Sequence, residues 1–169
     1  AIQQDIEVGE VIFARTSLGF DGLLSYYAGR DGVCDLELEK AFVEHTAWYE
    51  KLPAPYFVNA DKELFELFKD STREGITIAA PGFYAPQGRW VRLQPHDLKL
   101  NEKIESFKFG ERRITNFEME SSALAGLARL LGHKASTCCM VIANRVAGKA
   151  NPNYKNSIDA LIQLVLERL

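Results

Sequence analysis

In DLELEKAFVEHTAWYEKL (Asp35 to Leu52) the apolar residues Leu38, Ala41, Phe42 and Val43, then Ala47 and Trp48, return at helical spacing. Asp35 stands where an N-cap belongs, and the prolines Pro53 and Pro55 close the run. DKELFELFKD (Asp61 to Asp70) repeats the pattern, with Leu64, Phe65, Leu67 and Phe68 as the core face and Asp61 as the cap. SSALAGLARLLGHK is a further predicted helix, closed by Gly132. NYKNSIDALIQLVLERL is another, apolar at Ile158, Leu161, Ile162, Val165 and Leu166. Between these lie β-rich runs. Glu7 to Thr16 reads as a turn and a strand, and GITIAA (Gly75 to Ala80) as a strand entering the loop PGFYAPQGRW. Lys103 to Met119 reads as a polar edge and a strand, with FKFGERR a solvated hairpin. ASTCCMVIANRV reads as one continuous strand buried on both faces, and Ser17 to Gly32 as loop. Strands alternating with helices predict a single α/β domain over residues 1–169 with a largely parallel or mixed sheet. Ligands in such folds collect at the carboxyl ends of strands. That picks out the loop after GITIAA, the turn at FEMESS and the exit ANRV.

Composition narrows the partners. A chain of 169 residues buries roughly 70% of its unfolded surface, enough for a real core. A net charge of -3, with Lys and Arg scattered, argues against nucleic acid or an anionic membrane as partner. There is no membrane-spanning apolar run and no signal-peptide pattern. Cys34, Cys138 and Cys139 form no framework; Cys138 and Cys139 read as buried free thiols in a strand, and the odd, small count fits a reducing compartment, so a cytoplasmic location is expected. His45, His96 and His133 make no metal spacing with a cysteine, and no metal is expected. Neither GxxxxGK[ST] nor GxGxxG occurs.

The strand-end segments carry the candidate chemistry. In NFEMESS an extended Ile114 to Met119 sends Asn116 and Glu118 to one face, and Phe117 and Met119 to the other. Glu120 then opens a helix whose dipole favours a carboxylate, with Ser121 or Ser122 able to serve the orphan N–H groups. The same geometry suits a vicinal diol, accepted by carboxylates and covered by Met and Phe. In GFYAPQGRW, Gln87 and Arg89 match the edge of a uracil-like ring, which carries an N–H between two carbonyls, and Phe83 can stack on it. An ordinary surface loop reads the same way. Asn144 and Arg145 end the apolar run VIANRV, either as a strand stop or as part of a site.

FYAPQGR, NFEMESSAL and VIANR, in this order from Phe83 to Arg145, resemble the nucleoside phosphorylase family, in particular its uridine phosphorylase branch. AIQQDIEVGEV and FDG (Phe20 to Gly22) look similar too. The resemblance implies a three-layer α/β sandwich with a central mixed sheet flanked by helices. It implies a pentosyltransferase of pyrimidine salvage that splits uridine with phosphate into uracil and ribose 1-phosphate. Phosphate is then a co-substrate, no cofactor is needed, and the assembly is a homo-oligomer built on dimers, with a hexamer as one candidate. By the same resemblance Gln87, Arg89 and Glu120 are catalytic. Phe83 and Phe117 wall the base pocket, although the branch more often has Tyr at the second position. Met119, with Glu118 beside it, contacts the ribose, and Ile142, Ala143 and Arg145 form the far side of the pocket. Purine-specific relatives carry Asp where Asn144 stands, which favours a pyrimidine. Alternatives are a nucleosidase of the same superfamily, which uses water, or a non-catalytic nucleoside-binding protein on this scaffold. The family's glycine-rich phosphate loop precedes the point that matches Ala1. The chain therefore reads as roughly the C-terminal three-fifths of a phosphorylase, against usual domain lengths, with little activity expected alone. Gly32 to Leu52 has no clear counterpart and reads as an insertion near the site.

Overall fold

A computed structural model describes residues 1–169. In chain order the elements are β1 (Val11–Gly19), α1 (Leu36–Thr46), β2 (Tyr56–Asn59), α2 (Lys62–Phe68) and β3 (Arg73–Ala79). Then come α3 (Leu100–Ser106), β4 (Lys108–Phe109), β5 (Arg112–Glu118) and α4 (Ser121–Leu130). The chain closes with β6 (Cys138–Met140), β7 (Ala143–Asn144), β8 (Lys149–Ala150) and α5 (Lys155–Leu166). A six-stranded mixed sheet runs β2-β1-β3-β5-β4, with β6 also on β1, and β7 and β8 form a separate ribbon.

Side-chain alternation builds the layers. On β2, Phe57 joins Leu18, Ile76 and Ile78 in a cluster with Leu38 and Phe42 of α1 and Ile104 of α3. Its neighbours Tyr56 and Val58 point the other way, toward Ala125 of α4. The sheet is thus covered on both faces, the three-layer arrangement expected. Phe42 is fully buried and meets Phe57 and Phe107 edge-on, with ring centroids 5.6 and 5.2 Å away.

Both N-caps hold. Asp61 accepts from the N–H groups of Glu63 and Leu64, and Asp35 from that of Leu38. The C-terminus of α4 closes as foreseen: Gly132 has φ 75°, and the His133 N–H reaches back to the Ala128 carbonyl at 2.8 Å. Asp35 also accepts from Arg112 and Asn59. Burial works against its charge, but the Leu38 N–H, Arg112 and Asn59 more than offset it and hold its pKa below the usual value. A carboxyl with a lowered folded pKa stabilises the fold above the unfolded pKa and loses that contribution as pH falls. Asp35→Ala is expected to cost about 1 kcal/mol at neutral pH in urea unfolding. The gap to wild type should close progressively below about pH 4.

Several boundaries differ from the sequence reading. Helix α1 stops at Thr46, because Ala47 turns left-handed with φ 48°. Trp48 then packs on Phe20 and Phe42 from beyond the helix end. The predicted loop starts inside β1, which runs to Gly19, and it contains two short 3-10 turns. Strand β2, unforeseen, pairs with the second half of β1, Thr16 to Gly19. That leaves only Val11 to Phe13 on this edge for β6, because β3 takes the other edge. ASTCCMVIANRV is accordingly not one strand: Cys138 to Met140 pair, half-buried, Val141 still bonds the backbone of Gly9 and Glu10, and Ala143–Asn144 then pair in the separate ribbon. Residues 103–106, read as the start of a polar edge, belong to helix α3, anchored by buried Ile104. Helix α5 is amphipathic as read, but none of its residues is fully buried.

Candidate functional site

The carboxyl ends of the parallel strands β1, β3 and β5 lie level. Gly19 pairs with Ala79, and Ala79 with Glu118. The Phe20 N–H reaches the Ala79 carbonyl at 3.1 Å, and the Ala80 N–H reaches the Glu118 carbonyl at 3.0 Å. The loop PGFYAPQGR therefore leaves the sheet beside the start of MESS.

That loop is folded around Gln87. Ala85–Gln87 form a 3-10 turn, ended by Gly88 with φ 67°. A Cβ at Gly88 would also run into the Asn101 amide. Gln87 is buried although polar. Its side-chain Oε1 accepts from Nη1 of Arg89 and from Nη2 of Arg145. Its backbone carbonyl accepts from Arg145 Nη1 at 2.6 Å and from Asn101 Nδ2 at 3.3 Å. Arg89 also donates to the Phe83 carbonyl and lies over the Phe83 ring, 3.9 Å from its centroid. Arg145 lies over Phe117 at 4.6 Å. Arg89 and Arg145 thus share one amide oxygen, and Arg145 reaches it from 58 positions further along the chain.

Neither guanidinium meets a carboxylate: every ion pair in the chain lies elsewhere. Burial, and then the charge of Arg89, push the Arg145 pKa down to about 10. Burial lowers that of Arg89 as well. The cluster is rich in donors and poor in negative charge. It suits carbonyl oxygens and, better, an oxyanion.

The two glutamates divide their work differently from the sequence reading. Glu118, not Glu120 or a serine, serves the start of α4. Its Oε2 accepts from the N–H groups of Glu120 and Ser121, each at 2.8 Å, and its Oε1 from Ser121 Oγ at 2.6 Å. Ser122 Oγ bonds the buried Tyr56 hydroxyl at 2.9 Å instead. The N-cap position belongs to Glu120, whose carboxylate is exposed and caps nothing. Met119 and Ile142 are exposed beside partly buried Phe117 and Ala143. A carboxylate that takes two backbone N–H groups and a hydroxyl is hard to replace. Glu118→Ala is expected to lower stability by about 1–3 kcal/mol in a thermal or urea melt.

Asn144 is structural. It is buried, donates to the carbonyls of Gln3 and Ile6, and accepts from the N–H groups of Val146 and Ala147. Its amide has no capacity left for a ligand. Asn101 had no sequence signal, since it sits in a polar stretch without motif. The segment Gly32 to Leu52 contributes α1 to the core, and its end approaches the far side of the Gln87 loop.

Comparison with known proteins agrees with the fold. The family model described as "Phosphorylase superfamily" matches residues 1–169. The chain is 31% identical over 157 residues to a uridine phosphorylase of Thermococcus kodakarensis, covering 88% of this chain and 47% of that protein. A Trypanosoma brucei nucleoside phosphorylase, described as showing uridine phosphorylase activity, shares the fold with TM-score 0.83 at 24% identity. That match covers 98% of this chain and 59% of the other. A uridine phosphorylase of the oomycete Phytophthora capsici matches with TM-score 0.58 and 20% identity, over 99% and 61% of the two chains. The chain thus spans 47% of the length of its curated relative.

Proposed function

The chain belongs to the phosphorylase superfamily, and from that premise we propose that it reads the base and ribose of uridine in a phosphate-dependent cleavage to uracil and ribose 1-phosphate. The observation that carries this reading is the buried Gln87 amide, held between two guanidiniums that have no counter-ion. Uracil offers two carbonyl oxygens and one N–H on its edge. The arginine N–H groups and Gln87 Nε2 suit the oxygens. The ring N–H needs Gln87 Oε1, so the base must draw one arginine off that oxygen as it binds.

Cleavage breaks the bond between ribose C1′ and uracil N1, and the electron pair leaves with the ring. A phosphate oxygen bonds to C1′, and the uracil anion takes a proton from solvent. Negative charge grows on the ring while positive charge grows on the sugar. Arg89, Arg145 and Gln87 therefore bind the transition state more strongly than the neutral base, and that difference accelerates the reaction. Glu120, with its carboxylate free, accepts the ribose hydroxyls over Met119, while Glu118 fixes the backbone that presents them. Phe83 and Phe117 cover the ring, and Ile142 and Ala143 bound its far side. No metal or organic cofactor enters this scheme, and phosphate is the co-substrate. The same reading extends to a homo-oligomer built on dimers, with a hexamer as the candidate assembly, in the cytoplasm. No helix is long and apolar enough to cross a membrane.

The saturated Asn144 amide supports a pyrimidine over a purine, since it leaves no acid at that position. The test is product analysis. In a full-length form, uridine should yield uracil and ribose 1-phosphate only with phosphate present, while the 169-residue chain alone shows little turnover. Free ribose formed without phosphate would overturn the proposal in favour of hydrolysis.

A further inference from the structure

A cavity of about 590 Å³ lies behind the turn that presents Gln87, lined by Phe20, Trp48, Tyr49, Pro86 and Leu98 among others, but not by Gln87 or either arginine of the cluster. Half of its lining residues are hydrophobic. Its walls come from the end of β1, the end of α1 and the turn after it, the loop between β3 and α3, and α3 itself. The turn and the loop are clasped across it. Tyr49 and His96 stack with centroids 3.9 Å apart and planes 18° apart. Lys103 joins the Thr46 carbonyl to Asp97, at 2.8 and 2.6 Å. The lysine and the aspartate of the lining are thus paired with each other, so neither is free for an ionic ligand. Its volume lies in the range of small-molecule sites, and its lining includes the aromatic rings of Phe20, Trp48 and Tyr49 and four prolines.

We infer that this cavity is a second ligand site, distinct from the pyrimidine site, for a neutral planar aromatic molecule of one or two rings. Aromatic and proline faces bind flat rings by stacking and area burial, and a neutral ligand loses no ion hydration on entry. Pro86 belongs to both the cavity wall and the turn that carries Gln87, so the two sites stand back to back.

The 169-residue chain is titrated with the neutral fluorescent probe N-phenyl-1-naphthylamine. Saturable emission at one probe per chain is expected. Energy transfer from tryptophan should fall sharply in Trp48→Phe, leaving the smaller share from exposed Trp90. Leu98→Glu puts a carboxylate on an exposed part of the wall and should weaken the probe by about tenfold or more. Saturating uracil should leave the titration unchanged. The inference is overturned by emission that never saturates, by equal binding in Leu98→Glu, by undiminished transfer in Trp48→Phe, or by displacement with uracil. If the chain binds no uracil at all, the pyrimidine reading fails, while the probe and variant titrations still decide the cavity.

Discussion

Arg145→Met is expected to weaken uracil binding by about 100-fold, while leaving the fold as stable as before or slightly more so. Arg145 bonds both carbonyl oxygens of Gln87 and stacks on Phe117. Its loss frees the amide to rotate and removes a charged donor from the base. A hydrogen bond to a charged group contributes about 1.5–3 kcal/mol, or roughly ten- to 150-fold in affinity. The stability arm has the opposite sign. A base whose pKa is lowered to about 10 in the folded state holds its charge there at a cost. That cost applies at neutral pH and is relieved only as pH rises past the folded pKa. Removing the charge therefore does not unfold the chain. A residue with a purely structural role would lose stability and binding together. Arg145→Lys should rescue little, since one ammonium cannot reproduce the guanidinium's fork of donors.

The largest loss of stability is expected at Phe42→Ala, about 3–5 kcal/mol, a large part of the 5–15 kcal/mol typical of a whole domain. Phe42 is fully buried, and rings of four elements or loops surround it: Phe20, Trp48, Phe57 and Phe107. Truncation opens a cavity that these rigid rings cannot collapse into. Urea unfolding should show a lower midpoint with an unchanged slope, the mark of a packing loss without a change in the unfolded state. Phe42→Leu, which keeps most of the volume, should lose much less.

What was legible followed from local chemistry. Asp35, Asp61 and Gly132 mark helix ends because their roles depend on neighbours a few residues away. GITIAA and ITNFE read as strands for the same reason. What was illegible depended on partners distant in the chain. Nothing in ASTCCMVIANRV says that β2 already holds half of the β1 edge, so the run looked like one long strand. In the site, the residue types at Gln87 and Arg89 suggested a pair that matches a uracil edge, but only the fold brings Arg145 onto the Gln87 carbonyl from 58 residues away. The capping exchange between the glutamates was hidden for a simpler reason. A side chain two residues before the N-cap reaches forward over the helix start, and spacing alone does not separate that from a cap at Glu120 or Ser121.

The central claim is that Gln87, Arg89 and Arg145 form a site that reads a pyrimidine. Calorimetric titration of the 169-residue chain with uracil, and in parallel with adenine, tests it most directly. The account predicts saturable binding of one uracil per chain and none of adenine. Equal binding of the two bases, or no uracil binding at millimolar concentration, would contradict it.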